Sequence, residues 1–284
     1  MTTVEPLADG PVLGALARPA RPNGWGVIVL TGSSGRVDVD VARRFADRGV
    51  LAIAQQWWGG SGQARGINLT PIEVLIAGVD RLKAEGCERI AMLGTSYGAL
   101  ATLLTAVRDP RIEVAIAVSP AHVVWQNSGP GADGSEWPPR SSFSWRGTPL
   151  PFVALDPRAW PPFGTPQPSY LALHEASLRT FAEDVPAATV PVEDSPADVI
   201  LVAGGADALW PSALAARQIA ARLAARGRGA TLVEHPGAGH SPVFPGEVQR
   251  PAPAERAWGG TPEADRALGA AAWTAICDRL SLTA

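Results

Sequence analysis

The chain has 284 residues, a formal charge of −3, and 46% hydrophobic against 18% charged residues, a balance that fits an ordinary globular protein and excludes a disordered or fibrous one. The slight negative charge excludes the basic footprint of a nucleic-acid binder, and apolar runs no longer than a strand exclude a membrane-spanning helix. Residues 1–10 are acidic and lack the basic start and apolar run of a secretory signal, so a cytoplasmic location is expected. Cys87 and Cys277 lie far apart and in no metal-ligand spacing, and are expected to be buried free thiols.

In chain order, residues 25–30 form a predicted strand, followed by the polar turn 31–35, a helical stretch to residue 48 and a strand over 50–55. Thr70-Pro71-Ile72-Glu73 has capping-box spacing, which predicts a helix over 71–84 with proline at its first position. A strand over 90–93 runs up to Ser96, a helix is expected over 99–107, and a strand over 114–118. The pattern then breaks. Between 122 and 196 the chain is rich in proline and glycine and carries Trp125, Trp137, Trp145 and Trp160, with only 170–183 helical in pattern. A stretch this long without regular structure suggests a lid or pocket wall. The alternation resumes with a strand over 199–203, a helix over 211–226, a strand over 230–234 and a last helix over 262–280 capped by Thr261. Short apolar strands alternating with helices predict an α/β protein, with a mostly parallel sheet covered on both faces. A single domain over 1–284 is expected.

The chemistry starts at Gly94-Thr95-Ser96-Tyr97-Gly98. A serine between two glycines, after a strand and before a helix, has the form of a nucleophile elbow, in which the sharp turn leaves no room for flanking side chains. A serine hydroxyl needs a base, and the base needs an orienting group. Of the four histidines, His240 lies after the last strand and before the last helix, the position of the base in the α/β-hydrolase fold. His235 at a strand end and His174 in the insertion suit structural roles better, while His122 follows a strand and is a candidate pocket residue. Asp207, beyond the strand over 199–203, is the expected carboxylate, ahead of Asp184, Glu193 and Asp194; its competing role is to cap the helix near Pro211. Backbone N–H groups of Tyr97 and of Ser33, in Gly32-Ser33-Ser34-Gly35, are the expected oxyanion donors. No phosphate-loop or dinucleotide spacing accompanies that turn. No cofactor and no metal are called for.

Several segments together resemble the C-terminal catalytic domain of acyl-CoA thioesterases and bile acid-CoA:amino acid N-acyltransferases. They are the elbow, Gln56-Trp57-Trp58-Gly59, Ser144-Trp145-Arg146-Gly147-Thr148-Pro149-Leu150-Pro151-Phe152, Asp207-Ala208-Leu209-Trp210-Pro211-Ser212, Gly239-His240 and Gly259-Gly260-Thr261-Pro262-Glu263-Ala264. The resemblance spans residues 25–280 and implies an α/β-hydrolase fold with Ser96, Asp207 and His240 as nucleophile, acid and base. It also implies acyl thioester cleavage, with CoA or an acyl carrier protein as the bearer of the acyl group. In that family cysteine at the nucleophile accompanies transfer to an amino acid, so Ser96 implies hydrolysis. The sequence departs from the family where Ala206 precedes Asp207 in place of a second acid, and larger members carry an N-terminal β-sandwich. A carboxylesterase, lactonase or acyltransferase acting through the same residues is the alternative. Trp58, His122, Trp125, Trp145 and Trp210 are candidates for an apolar acyl pocket, and Arg140, Arg146 and Arg158 for contacts to phosphate.

Overall fold

The computed structural model describes residues 1–8, 10–129 and 139–282, so Trp137 lies outside the described residues. Strands β3 (Trp25–Leu30) and β5 (Arg89–Thr95) are buried over almost their whole length, as befits strands covered on both faces. They pair in parallel, with Leu30 opposite Gly94. Strands β1 (Thr3–Leu7), β2 (Leu13–Arg18), β4 (Leu51–Gln56), β6 (Ile112–Val118), β7 (Asp198–Gly204) and β8 (Ala230–His235) complete an eight-stranded sheet among the described residues. Its order is β1-β2-β4-β3-β5-β6-β7-β8, and only the β1–β2 and β2–β4 pairs are antiparallel. The mostly parallel α/β sheet expected from the sequence is present.

Two apolar layers sandwich this sheet. On one face α1 (Val39–Ala46) and α6 (Pro262–Leu280) bury Val41, Phe45, Leu268 and Ile276, with Phe45 against Trp273 at 5.1 Å between ring centroids. On the other, α2 (Ile72–Ala84), α3 (Tyr97–Arg108) and α5 (Ser212–Ala225) bury Leu75, Leu82, Leu100, Leu104 and Ile219. Each such side chain contributes about 1.5–3 kcal/mol by leaving water. Helix α6 begins as the sequence predicts, with the Thr261 side chain accepting from the Ala264 N–H at 3.2 Å.

Three expectations change. Strands β1 and β2 precede the first predicted strand, pairing in register from Thr3 with Arg18 to Leu7 with Gly14. The capping box at Thr70 does not form: Pro71 is the N-cap, and Glu73 accepts the backbone N–H of Arg146 at 2.7 Å. Glu73 therefore ties the insertion to α2 and is not free to reach back to its own helix end. The insertion sends part of its described residues into the core and leaves others, such as Trp160 and Phe163, exposed. It contributes helix α4 (Leu171–Thr180) and a small three-stranded sheet formed with Thr70–Pro71, and it buries Trp125, Phe143 and Val153 in the layer of α2 and α3. A proline-rich segment reads as a lid in one dimension, but here it supplies the apolar cover that a helix would otherwise provide.

Candidate active site

The candidate site lies at the carboxyl ends of the central strands, where an open α/β sheet presents its loops. Ser96 leaves β5 at φ 61° and ψ −124°, a conformation that costs an L-residue about 1–3 kcal/mol and is tolerated where the surroundings enforce it. They do so here. The Ser96 N–H donates to the Val118 carbonyl at 2.9 Å. A Cβ on Gly94 would fall 2.0 Å from the Gly98 carbonyl oxygen, and one on Gly98 would fall 2.7 Å from the carbonyl oxygens of Leu30 and Thr31. The two glycines are thus required by close backbone approach, as the elbow motif predicts.

His240 follows β8. Its Nδ1 lies 2.8 Å from Asp207 Oδ2, and both side chains are buried. The other carboxylate oxygen, Oδ1, accepts the N–H groups of Leu209 and Trp210 at 2.8 and 3.2 Å, so Asp207 orders its own loop and meets the imidazole at once. The helix that it was weighed as capping starts later, with Pro211 as N-cap. A carboxylate at Nδ1 fixes the tautomer with its proton there and leaves Nε2 as an acceptor. His240 Nε2 is buried and without a hydrogen-bond partner among the described residues.

The backbone immobilises this pair. The Trp258 carbonyl accepts from both the His240 N–H at 2.8 Å and the Ala208 N–H at 3.2 Å, joining the two loops through one oxygen. The Ser119 hydroxyl donates to the His240 carbonyl at 2.8 Å, and the Trp210 indole N–H donates to the Ser119 carbonyl at 3.1 Å. The Trp210 ring then stands edge-on to the imidazole at 5.6 Å. These roles of Ser119 and Trp258 had no signature in the sequence.

The Tyr97 N–H is the first of α3 and has no acceptor within that helix. Gly32 packs against the serine, since a Cβ there would lie 2.7 Å from Ser96 Cβ. Ser33 follows it and lines the same cavity as Ser96 and His240. Two adjacent indoles fix this turn, Trp57 donating to the Thr31 carbonyl at 3.0 Å and Trp58 to the Gly32 carbonyl at 3.3 Å. Gln56-Trp57-Trp58-Gly59 thereby has a physical explanation.

The cavity beside Ser96 has a volume of about 820 Å³ and is walled by the turn after β3, by α1, and by the loop between His240 and Trp258. None of the expected pocket residues lines it, nor does any described residue between 122 and 196. Trp58 braces the turn and Trp210 backs the imidazole, while Trp125 is buried edge-on to His174 at 4.8 Å. Trp145 lies half-buried between Arg108 and Arg146. His122 is buried, and burial with the nearby Arg222 lowers its pKa to about 4; burial lowers His174 to about 4 as well. His235 accepts the Gly237 N–H at 3.1 Å. The arginines expected to meet phosphate lie elsewhere: Arg158 grips Asp156, Arg146 covers Trp145, and Arg140 meets Asn127 through its backbone.

Residues 81–281 match the family model for the BAAT / acyl-CoA thioester hydrolase C terminal, a span that takes in Ser96, Asp207 and His240. The chain belongs to this family. It is an α/β hydrolase, and solved structures with the same fold support the architecture. A dienelactone hydrolase from Klebsiella pneumoniae, so described provisionally, is 17% identical with a TM-score of 0.55, and the alignment covers 98% of each chain. A dienelactone hydrolase-like promiscuous phosphotriesterase from metagenomic libraries is 16% identical over 99% of each chain with a TM-score of 0.56. An esterase from Pyrococcus furiosus is 16% identical over 82% of this chain and 81% of its own, with a TM-score of 0.51. No curated protein sequence matches the chain. Membership of the thioester hydrolase family agrees with the resemblance seen in the sequence motifs, and among the described residues no helix is long and apolar enough to cross a membrane.

Proposed function

We propose that the protein is a serine hydrolase that cleaves acyl thioesters through Ser96, His240 and Asp207. The observation that carries this reading is the buried Asp207–His240 pair at 2.8 Å, whose Nε2 has no hydrogen-bond partner among the described residues and whose imidazole belongs to a residue lining the same cavity as the strained serine. Ser96 Oγ attacks the acyl carbonyl and gives its proton to His240 Nε2. The C–S bond breaks as that proton passes to the departing thiolate, leaving an acyl-serine. Water then attacks the acyl carbon, loses its proton to Nε2 and releases the acid, the proton returning to Ser96. Negative charge on the carbonyl oxygen meets the N–H groups of Tyr97 and Ser33. The thiol is CoA or a carrier-bound phosphopantetheine, as family membership favours.

Ester or lactone cleavage by the same residues is the second reading, since the cavity wall holds charged side chains beside apolar ones and none of the expected acyl-pocket tryptophans. Fluorophosphonate labelling of the wild type and of Ser96→Ala tests the nucleophile: labelling that persists in the variant refutes it. Rates on acetyl-CoA and on phenyl acetate then separate the two readings, the thioester being cleaved with the higher kcat/KM if the first holds.

A further inference from the structure

Arg36, Arg250 and Arg256 border the cavity of Ser96, and no carboxylate pairs with any of them among the described residues. Other arginines of this wall are engaged: Arg43 lies 3.9 Å from Asp40, and Arg44 donates to the Pro245 carbonyl. Asp38 and Glu247 are engaged too, accepting the backbone N–H groups of Val41 and Phe244 at 3.4 and 2.8 Å. Asp40 and Asp47 border the cavity as well, and Arg36 donates to Ser34 Oγ at 3.3 Å, so an anion is favoured by the place of Arg256 and not by the charge balance of the wall.

Arg256 is the best placed of the three. It is half-buried, and its Nη1 donates to Ser33 Oγ at 3.1 Å. Ser33 follows Gly32, which touches Ser96. A guanidinium has five N–H donors in a fixed fork, so one bond to Ser33 leaves others for a ligand. An anion held there sits close to the scissile carbonyl. The phosphates of CoA or phosphopantetheine hang at the far end of a long flexible arm, out of reach of a side chain tied to this turn. A carboxylate only a few bonds from the carbonyl fits.

We propose that Arg256, with Arg36 and Arg250 on the same cavity, selects substrates that carry a carboxylate close to the bond being cleaved. The proposal rests on Ser96 as the nucleophile. The carboxylate belongs either to the acyl group or to the leaving group, and one substrate set distinguishes them: phenyl hemiglutarate against phenyl pentanoate, and 3-carboxyphenyl acetate against phenyl acetate, each corrected for the enzyme-free rate.

The wild type is expected to cleave the carboxylate ester of one pair with at least about tenfold higher kcat/KM than its neutral partner, as a charge-assisted bidentate contact allows. Arg256→Ala should bring that ratio to within about threefold of one. Any effect of the lost Ser33 contact falls on both members of a pair and cancels in the ratio. Arg250→Ala, which leaves Ser33 untouched, should lower the ratio as well, and Arg158→Ala, outside the cavity, should keep it. A wild type without preference in either pair overturns the proposal, as does an unchanged ratio in both Arg256→Ala and Arg250→Ala. Absence of Ser96-dependent cleavage of all four esters overturns the proposal where fluorophosphonate still labels Ser96, and refutes the parent reading where it does not.

Discussion

Replacing Asp207 with asparagine tests the candidate machinery with the least change of shape. The side chain is not free to choose its orientation: one oxygen accepts two backbone N–H groups, from Leu209 and Trp210, at 2.8 and 3.2 Å. An asparagine must put its carbonyl oxygen there, because the reverse would press its NH₂ against both donors and leave them buried and unpaired, at about 1–3 kcal/mol each. The NH₂ then faces His240 Nδ1, which can only accept, so the imidazole proton moves to Nε2. The base points a proton at Ser96 in place of a lone pair. The same exchange in a serine protease lowers kcat about 10⁴-fold, equivalent to about 5.5 kcal/mol of transition-state stabilisation. A loss of that order is expected here for phenyl acetate or acetyl-CoA under saturating conditions, with a urea-unfolding free energy within about 1–2 kcal/mol of the wild type. Asp207→Asn retaining a kcat within tenfold of the wild type would refute the argument.

Ser96→Ala should reduce kcat by on the order of a millionfold, as nucleophile removal does in subtilisin; turnover within a hundredfold of wild type in a contaminant-free preparation sinks the assignment. Gly98→Ala places a methyl 2.7 Å from two backbone oxygens of β3 and the turn after it, and should destabilise the fold by about 1–3 kcal/mol in urea titration; no loss means that the elbow has slack. His122 and His174 have folded pKa values lowered from 6.5 to about 4, so below pH 6.5 the unfolded chain takes up protons that the native state refuses. Stability present at pH 7 is then lost as pH falls towards 4, by about 2 kcal/mol per histidine at pH 5. Urea midpoints that stay level between pH 7 and pH 5 would contradict this.

The central strands, the helix starting at Thr261 and the elbow glycines around Ser96 are legible because each rests on local pattern. A buried parallel strand reads as an apolar run, and an elbow needs its glycines within two residues of the serine. Strands β1 and β2 are hard to read in the sequence because their pattern is weaker: β1 is mostly exposed and contains Pro6, as an edge strand tolerates. The expected pocket tryptophans take other places for a different reason. Tryptophans are the largest apolar side chains and so invite assignment to an acyl pocket, yet Trp125 and Trp210 are nearly wholly buried, and Trp57 and Trp58 brace a turn through their indole N–H groups. Nothing local in the sequence separates Arg256 from the other arginines. Its position beside Ser33 is a contact between residues 223 apart along the chain.

The cavity wall leans on the insertion, where the Gln167 N–H donates to the Ala254 carbonyl at 3.1 Å and the Ala257 N–H to the Pro168 carbonyl at 2.9 Å, and this sets what can vary. The insertion places Trp125, Phe143 and Val153 in the core, so removing those side chains would open apolar surface. The wall between His240 and Trp258 is a strap anchored at both ends, by Asp207 and by the Trp258 carbonyl. Between those anchors Phe244 packs on Trp273 at 5.6 Å and the Val243 N–H donates to the Asp265 carbonyl at 3.1 Å, whereas exposed side chains such as Val248 can be exchanged without disturbing His240. Substrate choice in this scaffold is therefore open to redesign along that strap, while the tryptophan-rich segment serves as foundation.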